Sequence, residues 1–428
     1  MKKRICRVLT LVTLLTLISG CADAQQQIIA PDEIHNEAMA EAGEEEEAQA
    51  EAEEALEAQG IVPEGMYRNE LTGEAIDIAL KDLRPMAVMI DNEELALDHY
   101  GTAEADVVYE MVNSTMNNRI TRLMVLFKDY ESIERLGSIR STRPTNLILL
   151  GEWNAILCHD GGPQVHNDPY YAKPYVDRFS GTFHRIQNGK PKEFTEYVVT
   201  GDIENNFKNN EKISREYNDY KPKRDMHFNF TEYGNEVHLD ETYDNSIACT
   251  KIDLSAAFAH NKSELRYNSN TNMYEYYEYG ERHEDAEDGE PLAFKNVFLQ
   301  CATMKQLDAN GYMIYNVIDN ARLGLYFTNG RYKGVSWVKS GETEITHFYD
   351  ESGNVYDTTR STSDGSHPTA IVRGAADGTY RVHVVYRFWQ NSNKSAIYTA
   401  EGNPGYSYKP TGDGTNIVNT AVKLNGLT

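Results

Sequence analysis

The chemistry of this chain is densest between Leu136 and Gly162. Residues 136–144 read L-G-S-I-R-S-T-R-P and carry Arg140, Ser141 and Arg143; residues 155–162 read A-I-L-C-H-D-G-G and carry His159, Asp160, Gly161 and Gly162. Ser141 or Thr142 is a good helix N-cap, and Pro144 fits the first turn. A helix start offers unpaired N–H groups and a partial positive charge, and flanking arginines add forked donors. With Arg122 nearby, this pattern makes an anion site for a carboxylate, a phosphate or a sugar acid. The competing reading pairs the arginines internally with Asp91 or Glu110. A second chemistry rests on Asp91, Glu110 and His159, which all fall at or near the ends of apolar runs. Ligands bind beyond strand ends in open sheets, and carboxylates converging there with an imidazole could do general acid–base work. Here the bland alternative is a histidine that holds a loop. His159, His166 and Asp168 have ligand-capable side chains but match no zinc spacing, and HExxH, P-loop and GxSxG motifs are absent. No metal ligand and no cofactor is therefore expected. His283, with Glu281 and Asp285, reads as solvated charge in an acidic loop.

Positioning these residues requires buried strands. Residues 86–90, M-A-V-M-I, form a continuous apolar run that ends at Asp91-Asn92; residues 105–112 and 119–127 follow as two more strands. Such unbroken runs suit strands covered on both faces. Strand, loop, helix and strand in succession predict an α/β domain. From Met226 onward short tyrosine-rich strands dominate, and Asn329-Gly330 marks a hairpin between two of them. The expected architecture is thus a mixed α/β N-terminal domain over 67–210 and a β-rich C-terminal domain over 211–363. A tail over 364–428 holds further strands at 379–389 and 397–399 and either completes the second domain or stands apart.

Charge is spread unevenly along the 428 residues, whose net charge is −25. Residues 1–21 hold Lys2, Lys3, Arg4 and Arg7 with no acid, then an apolar run too short to cross a membrane comfortably, then Ile18-Ser19-Gly20-Cys21. A small-residue cleavage site ending in cysteine is the pattern of a bacterial lipoprotein signal, with lipid on Cys21. Residues 22–66 contain fourteen acids and no Lys or Arg, so they read as a disordered acidic linker. Extended, it would reach roughly 150 Å. The remaining chain is still acidic, which argues against nucleic acid as a partner. Cys158, Cys249 and Cys301 each sit in an apolar run without CxxC spacing and are expected as buried free thiols. A secreted chain without a disulfide framework fits a Gram-positive-type surface.

Several segments recur together as an ordered set: R-P-M-A-V-M-I-D-N at 84–92, A-D-V-V-Y-E at 105–110, I-T-R-L-M at 120–124, G-S-I-R-S-T-R-P at 137–144 and H-D-G-G at 159–162. In the second domain G-E-R-H-E-D at 280–285, Gly324 to Tyr326, Gly334 to Lys339 and Y-D-E-S-G at 349–353 continue it. Over roughly residues 80–360 the chain resembles the YerB-like lipoprotein family, whose two domains have no assigned function. The resemblance implies a lipid anchor, a linker and two domains; it lends no reaction. This chain departs from the family pattern at residues 113–118, N-S-T-M-N-N, where relatives tend to carry an acidic double-glycine turn. It also has Pro163 where a serine often follows the double glycine, which removes a serine nucleophile. The resulting expectation is a surface lipoprotein on the outer face of the cell membrane that binds a wall glycan, a peptide or an envelope protein. The alternative is a wall-active hydrolase or transferase using Asp91, Glu110 and His159.

Overall fold

The computed structural model describes residues 62–350 apart from 117 and 232–234, together with the short strands Asp357–Thr358, Thr369–Arg373 and Lys423–Leu424. Cys21, most of the acidic linker and the tail strands expected at 379–389 and 397–399 lie outside the described residues.

The apolar runs fold as expected. Met86–Asp91, Val107–Val112, Thr121–Phe127 and Ile156–His159 are strands buried along their whole length. Thr121–Phe127 pairs antiparallel with both Val107–Val112 and Met86–Asp91. Ile156–His159 then adds parallel to Met86–Asp91, and Asp177–Ser180 parallel to Ile156–His159. One face of this sheet carries the fully buried helix Pro144–Trp153, pinned where the Trp153 indole donates to Tyr109 Oη at 2.8 Å and Tyr109 donates to Glu152 at 3.1 Å.

The N-terminal domain is nevertheless mostly strand, which corrects the α/β expectation. Its other helices, Gln164–Tyr171 and Asp202–Asn209, have eight residues each. The physical reason lies in the connections. Met86–Asp91, Val107–Val112 and Thr121–Phe127 are linked without an α-helix, so their pairings are antiparallel, and α-helical crossovers serve only the later strands.

The C-terminal domain is β-rich. Asn296–Gln300, Asp319–Thr328 and Arg331–Lys339 form an antiparallel set. Asn329 and Gly330 turn the hairpin with φ of 46° and 69°, the left-handed pair that a two-residue turn demands. Thr369–Arg373 runs parallel to Asn296–Gln300 on one side and to Val107–Val112 on the other, so the strands of both domains join in one sheet of eleven. A second sheet, built on Lys251–Asp253, Glu264–Asn268 and Met273–Glu278, covers the face of the first opposite the helix. Cys158, Cys249 and Cys301 are buried free thiols, as the sequence predicts.

Candidate functional site

Pairing register decides which polar side chains can meet. Asp91 lies opposite Arg122, and Arg122 opposite Met111, so these three share one face of the sheet. Glu110 lies opposite Leu123 and therefore points to the other face.

On the helix-bearing face Arg122 and Arg140 flank the buried Asp91 carboxylate, and Arg143 joins them through Ser141. Arg140 Nε is 2.7 Å from Asp91 Oδ2, and Arg122 Nη2 is 3.5 Å from Asp91 Oδ1. The outer side of Arg140 meets the exposed Glu193 at 2.8 Å. Ser141 Oγ accepts from Arg122 at 2.7 Å and from Arg143 at 3.0 Å, which bridges the two guanidiniums. Arg143 also donates to Thr142 O at 2.8 Å and lies over the Tyr312 ring, 4.4 Å from its centre. Among the described residues no carboxylate reaches Arg143 within ion-pair distance, and its Nε has no partner. Burial, then repulsion from Arg122 and Arg140, lowers the Arg143 guanidinium to about 9. Internal pairing with Asp91 is therefore real for Arg140 and Arg122 and absent for Arg143.

The loop that carries these residues is fixed by backbone bonds to strand ends. Asp91 N–H donates to Ser138 O, Arg140 N–H to Met89 O and Asp160 N–H to Arg140 O. Gly161 O accepts from Thr142 N–H at 3.4 Å. At Gly162, with φ of 147°, a Cβ would lie 2.4 Å from Asn167 Nδ2 and 3.1 Å from Thr142 O. Gly161 and Gly162 thus shape the arginine loop. The N-cap is Arg143, not Ser141 or Thr142, because Asn146 Oδ1 accepts the Arg143 N–H at 3.0 Å while the Ser141 hydroxyl is taken up by arginines. Arg122, Arg143, Thr145 and Asn146 line a narrow recess with Tyr315, with room for about one water molecule. Tyr312 and Tyr315 come from the second domain and went unseen in the sequence.

The proposed acid–base trio does not assemble. Asp91 and Glu110 stand on opposite faces, and all three residues are buried. His159 donates from Nδ1 to Gly161 O at 2.9 Å, and burial lowers its imidazole to about 4. It is the histidine that holds a loop. His166 pairs with Asp308 at 2.9 Å while Asp168 is exposed, so these two and His159 form no ligand set.

On the opposite face Glu110 belongs to an interdomain network. Its Oε1 accepts from Ser263 at 2.6 Å, Thr121 at 2.8 Å and Tyr276 at 3.0 Å. Oε2 has no partner beside an apolar gap lined by Val108, Leu123, Leu265 and Phe294, and burial pushes the carboxyl up to about 7. Nearby, His283 is buried, which corrects the solvated-loop reading. Its Nδ1 lies 2.7 Å from Glu278 Oε1, and His99 packs against it with ring centres 5.0 Å apart. His99, Glu278 and His283 are the residues in the described structure that could hold a metal ion.

Fold and site define a two-domain, strand-dominated protein with an arginine cluster at the seam of its domains. The chain belongs to the YerB-like family. Residues 71–217 match the model described as "Protein of unknown function (DUF3048) N-terminal domain", and residues 254–360 match its C-terminal counterpart. YerB of Bacillus subtilis (strain 168), by its name a candidate lipoprotein, is 23% identical over 274 residues, which cover 62% of this chain and 76% of YerB. The crystal structure of Bacillus subtilis YerB superposes with a TM-score of 0.58 at 18% identity, covering 72% of this chain and 96% of that one. That likeness shows the shared fold. Among the described residues no helix is long and apolar enough to cross a membrane.

Proposed function

We propose that this chain is a lipid-anchored protein of a Gram-positive-type cell surface that holds an anionic group of an envelope polymer at Arg122, Arg140 and Arg143. The observation that carries the reading is the charge imbalance: Arg122 and Arg140 share the buried Asp91 carboxylate, Arg140 also meets the exposed Glu193, and Arg143 has no carboxylate of its own among the described residues. An incoming carboxylate or phosphate oxygen would supply the missing negative charge through charge-assisted bonds. The recess is too narrow for a sugar ring, so only a terminal oxygen enters while the polymer stays outside beside Arg140, whose side chain is 29% exposed. The lipoprotein pattern ending at Cys21 and the name of the Bacillus relative support membrane attachment. In this reading residues 22–66 are a stalk, 67–210 and 211–363 are the two domains, and the acids of the stalk keep it clear of an anionic membrane.

The test is retention of the full-length chain, in detergent, by isolated cell-wall polymer, with inorganic phosphate as competitor. Replacing Arg140 with Gln and Arg143 with Met together should weaken retention by about tenfold or more, the effect of losing charge-assisted hydrogen bonds. Retention that the double variant leaves unchanged would sink the site assignment.

A further inference from the structure

A second site lies on the other face of the first sheet, where a loop of the N-terminal domain meets a hairpin of the C-terminal domain. His99 comes from the loop after Met86–Asp91; Glu278 ends the strand Met273–Glu278, and His283 follows the turn. All three side chains are buried, and one ligand atom from each lies within 4.8 Å of the others. We propose that His99, Glu278 and His283 bind a divalent transition-metal ion of the zinc type, which clamps the two domains together.

Four observations support this reading. Geometry sets the His99 tautomer: its Nε2 is 2.6 Å from the carbonyl oxygen of Asp91, so Nε2 carries the proton and donates it. That leaves Nδ1 with a bare lone pair, and Nδ1 has no partner although it is buried. Glu278 Oε2 is likewise buried without a well-formed hydrogen bond, although the Asn261 and Asn92 side chains lie close enough to favour the carboxylate. A buried acceptor left unpaired, as His99 Nδ1 is, is costly unless something electropositive meets it. Finally, the outer nitrogens are already engaged as metal-bound histidines require, His99 on Asp91 O and His283 Nε2 on Thr102 Oγ1 at 3.0 Å.

Metal binding needs only a local exchange. The His283 ring takes the tautomer protonated at Nε2, which then donates to Thr102, and the Nδ1 lone pair turns from Glu278 to the cation. Glu278 binds as the carboxylate. Two imidazoles and one carboxylate form a known zinc donor set, with a fourth position left for water. Tetrahedral ligands at zinc distance are about 3.3 Å apart, so the present cluster closes slightly around the ion. Thiolate-preferring metals are disfavoured because no cysteine lies in the set.

The experiment is titration of the chelator-treated full-length chain, in detergent and without an affinity tag, with Zn²⁺ by calorimetry and with Co²⁺ by visible absorption. One equivalent of Zn²⁺ should bind, the melting temperature should rise, and Co²⁺ should give the intense absorption of a four-coordinate ion. His99→Ala and Glu278→Gln should each weaken binding by about 100-fold, and Thr102→Val, which removes an outer-shell acceptor, by about tenfold. Failure of the wild-type chain to bind stoichiometric Zn²⁺ overturns the proposal, as does undiminished binding in the two ligand variants. If those variants do not fold by circular dichroism, the wild-type Co²⁺ spectrum decides, and the weak absorption of a six-coordinate ion counts against the site. Arg140→Gln should leave Zn²⁺ binding unchanged, which separates this result from the fate of the arginine reading.

Discussion

The two faces of the first sheet treat buried charge in opposite ways. On the helix-bearing face Arg122 and Arg140 are matched by the buried Asp91 and the exposed Glu193, while the buried Arg143 has no carboxylate within reach among the described residues. On the face covered by the second sheet, Glu110 and Glu278 are buried, both pushed up to about 7 by burial. Positions as close in sequence as Glu110 and Met111, or Thr121 and Arg122, belong to different electrostatic worlds because the pleat sends them apart. One face thus carries a guanidinium in excess of its carboxylates, and the other carries carboxyls whose protons burial helps to hold.

The helix-bearing face depends most on Asp91. Asp91→Asn leaves Arg122 and Arg140 without their buried counter-charge and should cost roughly 3–5 kcal/mol, read by urea unfolding at pH 7. A loss below about 1 kcal/mol would mean that the guanidiniums are balanced elsewhere. Glu110→Gln tests the other face through pH. Because the folded carboxyl sits near 7 and the unfolded one near 4.5, the native state holds a proton that the unfolded chain has released between those values. Wild-type stability from this group is therefore full below pH 4.5 and lost as pH rises to 7. Relative to wild type, Glu110→Gln should gain roughly 2–3 kcal/mol between pH 4.5 and 7.5. A difference that stays flat with pH would place the ordinary ionised glutamate at this position. Arg143→Met should change stability by less than about 1 kcal/mol, since Thr142 O keeps Asn167 as a donor and Ser141 Oγ keeps Arg122. A larger loss would reveal an anionic partner for Arg143. Glu193→Gln, at the solvent rim, should cost only a few tenths of a kcal/mol and lose even that in high salt.

Much of the scaffold is legible in the residues themselves. Continuous apolar runs announce the strands around Val88, Val108, Val125 and Leu157, and Asn329-Gly330 announces its hairpin. The arginine cluster is legible in part, since Arg122, Arg140, Ser141 and Arg143 do converge. What cannot be read is parity. A strand apolar on both sides has no alternation, so nothing in its sequence tells whether Asp91 and Glu110 face together or apart. The acid–base trio failed for that reason. The His99–Glu278–His283 cluster was hidden differently: Glu278 lies 179 positions after His99, and only docking of the domains brings them together. The helix N-cap was misplaced because Asn146 reaches back to Arg143, a competition between equally suitable polar residues that spacing alone does not rank.

The strand Thr369–Arg373 lies between the two halves of the large sheet, parallel to a neighbour from each. It is made after every other strand of that sheet, so a chain emerging N-terminus first holds two unfinished half-sheets with open inner edges until this segment arrives. It works as a keystone set last in an arch. A chain cut short before residue 369 would present the Val107–Val112 and Asn296–Gln300 edges to whatever strand it met first.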